Sequence, residues 1–208
     1  MRIEYSHQVK NPLTIGSMTR FYQRVADHMV GSTQRKIDQG IGPANAPLTV
    51  AVKKGSKTLR DRGDLIGSIA SRATSNEASV GTNKIYAKIQ HFGGTIKAKK
   101  TWLFIPAGYE TRRLQRKYSF AAGELIKKMR SDGYNVWFQV KGQKGVVMAE
   151  KKLKRHRRDG AGKIIHKSFV LFILKKEVTI PARPFLTIDE LDRKVIMRMA
   201  RQELGVEG

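Results

Sequence analysis

"IYAKIQHFGGTI", residues 85–96, decides how the rest of the chain is read. Apolar residues at helical spacing run into His91 and Phe92 and stop at Gly93-Gly94. A histidine and an aromatic against a double glycine fit a catalytic loop, a metal or phosphate site, or a packing corner. The local pattern favours the corner. Asn83 can cap a short helix through Ile85, Tyr86, Ile89 and Phe92. Gly93 stands where a helix needs a left-handed residue to end, and Gly94 lets the chain turn into an extended segment. His91 falls in the last turn, where a partly cationic imidazole suits the helix dipole.

Upstream, Met18, Phe21, Tyr22, Val25 and Met29 keep helical spacing, which predicts a helix over about 17–39 with Ser17 as cap and Gly40 as stop. "GIGPANAP" is a loop. A short helix is expected over Leu59–Leu65, then two short strands near 67–73 and 78–81. Downstream, "TIKAKKTWLFIPA" reads as two extended segments. "SFAAGELIKKMRSDG" reads as a helix between Ser119 and Gly133, and "YNVWFQVKGQKGVVMAE" as a hairpin turned at "GQKG". "KKLKRHRRDGAGK" reads as a basic loop and "IIHKSFVLFILKKEVTI" as a long strand or bent pair. A C-terminal helix follows, with Thr187 and Glu190 matching a capping box and Leu191, Val195, Met199 and Leu204 as its apolar stripe. Helices and antiparallel strands are interspersed, with no strand–helix alternation and no internal repeat. The expected fold is α+β: a long N-terminal helix and a C-terminal helix packed on a small antiparallel sheet, with a basic, hairpin-containing insertion.

Charge is the strongest compositional signal. The 208 residues hold 41 Lys or Arg against 17 Asp or Glu, a net +24. Residues 95–176 alone carry 22 basic and 5 acidic residues. Such a field attracts polyanions and opposes self-association unless it is neutralised. The 40% hydrophobic content argues for a folded chain. There is no cysteine, so disulfides, thiolate nucleophiles and Cys-based metal sites are excluded. The N-terminus has no apolar signal-peptide core, and "FVLFIL" (169–174) is far shorter than the ~20 residues of a membrane helix.

Chemistry is hard to find. "GSKT" (55–58) has the wrong order for a phosphate loop, and no HExxH or GxSxG occurs. The five histidines lack ligand spacing. The carboxylates of "DELD" (189–192) fit the first turn of a helix better than a metal site. No catalytic residue, metal or cofactor is expected. The run Lys151, Lys152, Lys154, Arg155, Arg157 and Arg158 is the candidate contact for DNA or an acidic partner, against the plain reading of a solvated loop. No sequence-specific DNA- or RNA-reading motif accompanies it.

Three stretches in order, "KTLRDRGDLIGSI" (57–69), "VGTNKIYAKIQHFGG" (80–94) and "IPARPFL" (180–186), resemble the phage virion-morphogenesis family, the tail-completion proteins of Mu-like and P2-like phages. The first match rests on Leu59, Gly63, Leu65, Ser68 and Ile69. The second rests on Gly81, Thr82, Tyr86, Ala87, His91, Phe92, Gly93 and Gly94, with Gln90 and His91 in the reverse of the usual order. The third is complete from Ile180 to Leu186. The resemblance implies one tail-completion-like domain over 1–208 with a variable basic insertion at about 97–176. It implies a non-enzymatic structural role in tail completion and head–tail joining at the neck. It also implies a homo-oligomeric ring in the virion, assembled in the host cytoplasm, beside other neck, tail or connector proteins. The charge of the insertion is not part of the resemblance; from its sign, nonspecific contact with packaged DNA or with an acidic neighbour is expected, and no contact with membrane. Tyr86, His91, Phe92, Gly93, Gly94, Arg183, Pro184, Phe185 and Leu186 are then candidates for a structural motif or subunit contact. A nonspecific nucleic-acid-binding protein is the competing reading.

Overall fold

A computed structural model describes residues 18–118, 121–156 and 162–204. It is α+β, and its chain divides into two compact units. Unit 1 takes in the described residues up to 44, then 57–94 and those from 180 onward. Unit 2 takes in 45–56 and 95–179.

Unit 1 is built on α1 (Thr19–Gln39), whose Phe21, Val25, Ala26, Met29 and Ile37 are buried. The hairpin β1 (Ile69–Ala73) and β2 (Ala78–Thr82) pairs antiparallel. The short α3 (Ala87–Phe92) and, at the C-terminal end, α6 (Glu190–Glu203) complete it. One cluster joins Ile37, Leu65, Ile69, Ala87, Phe185 and Leu186. A second joins Phe21, Val25 and Met29 to Ile188, Ile196 and Met199.

Unit 2 opens with α2 (Pro47–Lys53), which uses Pro47 at its first position. β3 (Gly94–Lys97) pairs with β8 (Glu177–Ile180). A four-stranded sheet runs in the order β4 (Leu103–Pro106), β7 (Gly162–Lys175), β6 (Lys144–His156), β5 (Asn135–Lys141). Between β4 and β5 lie α4 (Tyr109–Tyr118) and α5 (Ala122–Ser131). Leu125, Ile126 and Met129 of α5 pack on Val136, Val147, Ala149, Leu171, Phe172 and Leu174 of the sheet. A bulge at Val147/Met148 breaks the β6–β7 register, so consecutive Leu171 and Phe172 are both fully buried. The insertion expected at about 97–176 falls within unit 2.

Several local expectations change. α1 starts at Thr19 behind Met18, and no side chain caps it; Ser17 lies outside the described residues. Leu59–Leu65 is not helical. Leu59 and Gly63 take φ of 56° and 87°, which a helix cannot use, and only a 3-10 turn at Ile66–Ser68 follows. α3 begins at Ala87 behind Tyr86, so Asn83 caps nothing, and its buried residues are Ala87 and His91. Ile85 and Phe92 stay outside because the inward face is set by contact with Phe185, not by the apolar count. The N-cap of α6 is Asp189, in a reciprocal box with Asp192, rather than Thr187 with Glu190. Its inward residues are Asp192, Ile196, Met199 and Ala200, and Leu191 is 73% exposed. Ser119 and Gly205 lie outside the described residues. The basic loop is instead mostly strand. β6 runs to His156 and β7 starts at Gly162, because Lys151–Arg155 continue the ladder against Lys163–Lys167.

Candidate functional site

The double glycine is a corner against which the "IPARPFL" segment is latched. Gly93 takes φ 70° and ψ −176°, positive as a helix end requires but extended rather than left-handed in ψ. A Cβ there would lie 2.6 Å from the Ala182 nitrogen and 2.9 Å from the Ile180 oxygen. No side chain fits, so glycine is required by space as well as by φ. Gly94 follows at φ 147°. The Arg183 N–H donates to the Gln90 carbonyl at 2.9 Å, and the Leu186 N–H donates to His91 Nδ1 at 3.4 Å. These bonds hold a stretch that has no helix or strand of its own.

His91 is 5% exposed, and burial pushes its pKa below the ordinary histidine value. With Nδ1 accepting, the ring is neutral and carries its proton on Nε2. This corrects the cationic, dipole-matched histidine of the sequence reading: burial disfavours the charge more than a six-residue helix favours it. The ring meets Phe185 edge-on at 5.2 Å and Phe92 at 4.5 Å. His91 is therefore a packed acceptor for the Leu186 N–H.

Arg183 is buried at 5% exposure. Its Nε donates to the Pro43 carbonyl at 2.8 Å and its Nη2 to the Ala44 carbonyl at 3.2 Å. Burial lowers its pKa, and these carbonyls supply hydrogen bonds in place of lost water. Phe185 and Leu186 are buried in the unit 1 core, while Pro184 is exposed. Tyr86 and Phe92 are 44% and 58% exposed, and Ile85 is 97% exposed. Burial, then the Asp64 carboxylate, raises the Tyr86 phenol pKa. The corner thus brings together His91, Gly93, Gly94, Arg183, Phe185 and Leu186 and leaves Tyr86, Phe92 and Pro184 on its outside.

A second polar cluster escaped the sequence reading. Asp192 is 2% exposed. It accepts from Lys36 Nζ at 2.6 Å and stands 3.1 Å from His28 Nε2. Lys36 also donates to the Thr187 carbonyl at 2.7 Å and pairs with Asp189 at 3.0 Å. Burial would raise the Asp192 pKa, but hydrogen bonds from Lys36, Ser32 and the Asp189 backbone overcome it and hold it at about 2. The cluster fastens α6 to α1. The D-x-x-D spacing was the available signal, but T-x-x-E two residues earlier masked it.

The basic run belongs to unit 2. Lys151 lies over the Tyr134 ring at 4.7 Å, and Lys152 is exposed. Lys154 and Arg155 lie on β6, while Arg157 and Arg158 are outside the described residues. Among the described residues no group of three or more His, Cys, Asp or Glu could hold a metal ion. No described helix is long and apolar enough to cross a membrane.

Residues 9–122 match the phage virion morphogenesis family, and the chain belongs to it. The matched span carries the first two quoted stretches and the corner glycines; "IPARPFL" lies beyond it. No curated protein and no solved structure matches the chain.

Proposed function

We propose that this protein is a non-enzymatic structural component of a tailed phage or prophage that completes the tail and joins it to the head at the neck, as a ring of identical subunits. Membership of a virion-assembly family over residues 9–122 carries the reading. The corner supports it. Its histidine is buried, neutral and committed to a backbone N–H, which suits holding a shape and not moving protons. The exposed Ile85, Tyr86 and Phe92 on its outer side are the proposed contact to neighbouring subunits, beside other neck and tail proteins. The basic insertion expected at about 97–176 is proposed for the part of unit 2 that lies beyond the matched span, from residue 123 onward.

Electron microscopy of lysates from a phage with an early stop codon in this gene tests the role. Filled heads beside complete but unattached tails are expected. Normal joined particles would remove the completion role and leave the net charge of +24, hence nucleic-acid binding, as the better reading.

A further inference from the structure

Among the described residues, the outer part of the β6–β7 hairpin has no neighbouring strand in its sheet. β5 accompanies β6 only as far as Glu150, and β4 accompanies β7 only from Phe172. Six register pairs, Lys151↔Lys167 through His156↔Gly162, continue past them as a two-stranded ribbon. At ~3.4 Å per residue it is roughly 20 Å long. Residues 151–156 and 162–167 hold six Lys or Arg and no Asp or Glu.

Lysine on a free strand edge has an ordinary use, because it discourages strand addition. One or two would serve that purpose. Here cations also stand directly opposite one another, Lys151 against Lys167 and Arg155 against Lys163. Opposed like charges destabilise a strand pair, and a bare two-stranded ribbon is marginal in water. The arrangement works against the isolated protein and would be relieved by a dense negative partner. By register, Lys151, Arg155, Lys163 and Lys167 belong to one face and Lys152 and Lys154 to the other.

We infer that this ribbon binds duplex DNA by entering the major groove, with its two faces toward the two phosphate walls. The groove, about 12 Å wide, admits a two-stranded ribbon. An acidic protein surface would meet one face and leave the other uncompensated. Contacts of this kind are to the backbone and carry no base preference. The inference does not rest on the tail-completion role, since it concerns what the full chain binds in solution.

The test is a fluorescence-anisotropy titration of full-length protein with a labelled duplex of about 24 base pairs, over a KCl series. The ribbon variant is K152Q/K154Q/K163Q/K167Q. The control, R193Q/K194Q/R198Q/R201Q, removes the same charge from exposed positions of α6. Losing four phosphate contacts should flatten the log–log salt slope by about 3.6 and weaken binding about 100-fold or more near 150 mM salt. The control should change the slope by less than about 1. Equal losses in both variants, or unchanged binding by the ribbon variant, would overturn the inference. A duplex whose major groove is filled by glucosylated hydroxymethylcytosine should bind about 10-fold or more weakly, given groove entry; equal binding would remove the groove. Polyglutamate competing as well as duplex at equal charge would favour an acidic protein partner instead. If the quadruple variant does not fold, single substitutions should each lower the slope by about 0.9, and no change in any of them would count against the ribbon.

Discussion

Unit 1 buries Asp192 and Arg183 and matches each with donors or acceptors, whereas among the described residues of unit 2 no charged side chain is buried and the main cluster is apolar. Unit 1 has 17 basic and 11 acidic residues; unit 2 has 24 and 6. In unit 1, folding depends on particular atoms meeting at particular distances. In unit 2, alternating and helical apolar residues are enough to make the sheet and α5 pack, and the surplus charge is left for something outside the chain. Changes at the buried groups of the first unit should therefore show as stability, and changes at the surface cations of the second as binding.

The largest effect is expected at Gly93. Gly93→Ala puts a Cβ 2.6 Å from the Ala182 backbone at positive φ, and should cost about 3 kcal/mol or more. Gly123 in α5 has open space around it. There the same substitution should be neutral or stabilise by up to about 1 kcal/mol. Thermal melting of the two variants compares them directly, and similar losses would erase the contrast between the units.

Asp192→Asn removes the negative charge that Lys36 pairs with in a nearly buried cluster and should cost about 2–4 kcal/mol in a denaturant titration. The wild-type carboxylate has its folded pKa depressed to about 2, below the unfolded value of about 3.9. Its contribution is fully present above about pH 4 and is lost as pH falls toward 2, a span worth about 2–3 kcal/mol. The asparagine variant should lack that acid limb.

His91→Phe keeps a ring against Phe185 but removes the Nδ1 that accepts from the Leu186 N–H, for an expected loss of about 1 kcal/mol. The wild-type histidine also has a depressed folded pKa. Its stabilisation is complete above the unfolded value of about 6.5 and declines as pH falls below it. A melting-temperature profile from pH 8 to 5 should slope in wild type and flatten in the variant. The smallest stability effect belongs to the ribbon. Its four-glutamine variant removes one cation from each opposed pair and should melt as wild type or up to about 1 kcal/mol more stably while its DNA binding weakens.

Much of unit 2 was legible because strands and hairpins announce themselves by alternation, as in Val136–Lys141, and by the "GQKG" turn. α2 and α4 have no counterpart in the sequence reading, although Pro47 at the start of α2 is an ordinary helix-start signal. In unit 1 the corner was legible as punctuation, because two adjacent glycines after an apolar run mean a sharp end. Which side of α3 faces inward was not. The apolar residues Ile85 and Phe92 outvoted Ala87 and His91, and only the approach of Phe185, nearly a hundred residues later, reverses the choice. The α6 register failed similarly. A carboxylate, Asp192, occupies the inward face because Lys36 and His28 are waiting there, and periodicity alone cannot see a charge matched across such a distance.

The most direct test of the corner as an assembly surface is to complement the stop-codon phage with a chain carrying Ile85→Asp and Phe92→Asp. Both positions are exposed, at 97% and 58%, so the protein should fold and melt as wild type does. The account predicts tails that remain unjoined to filled heads. Full recovery of plaque titre by this variant would contradict it.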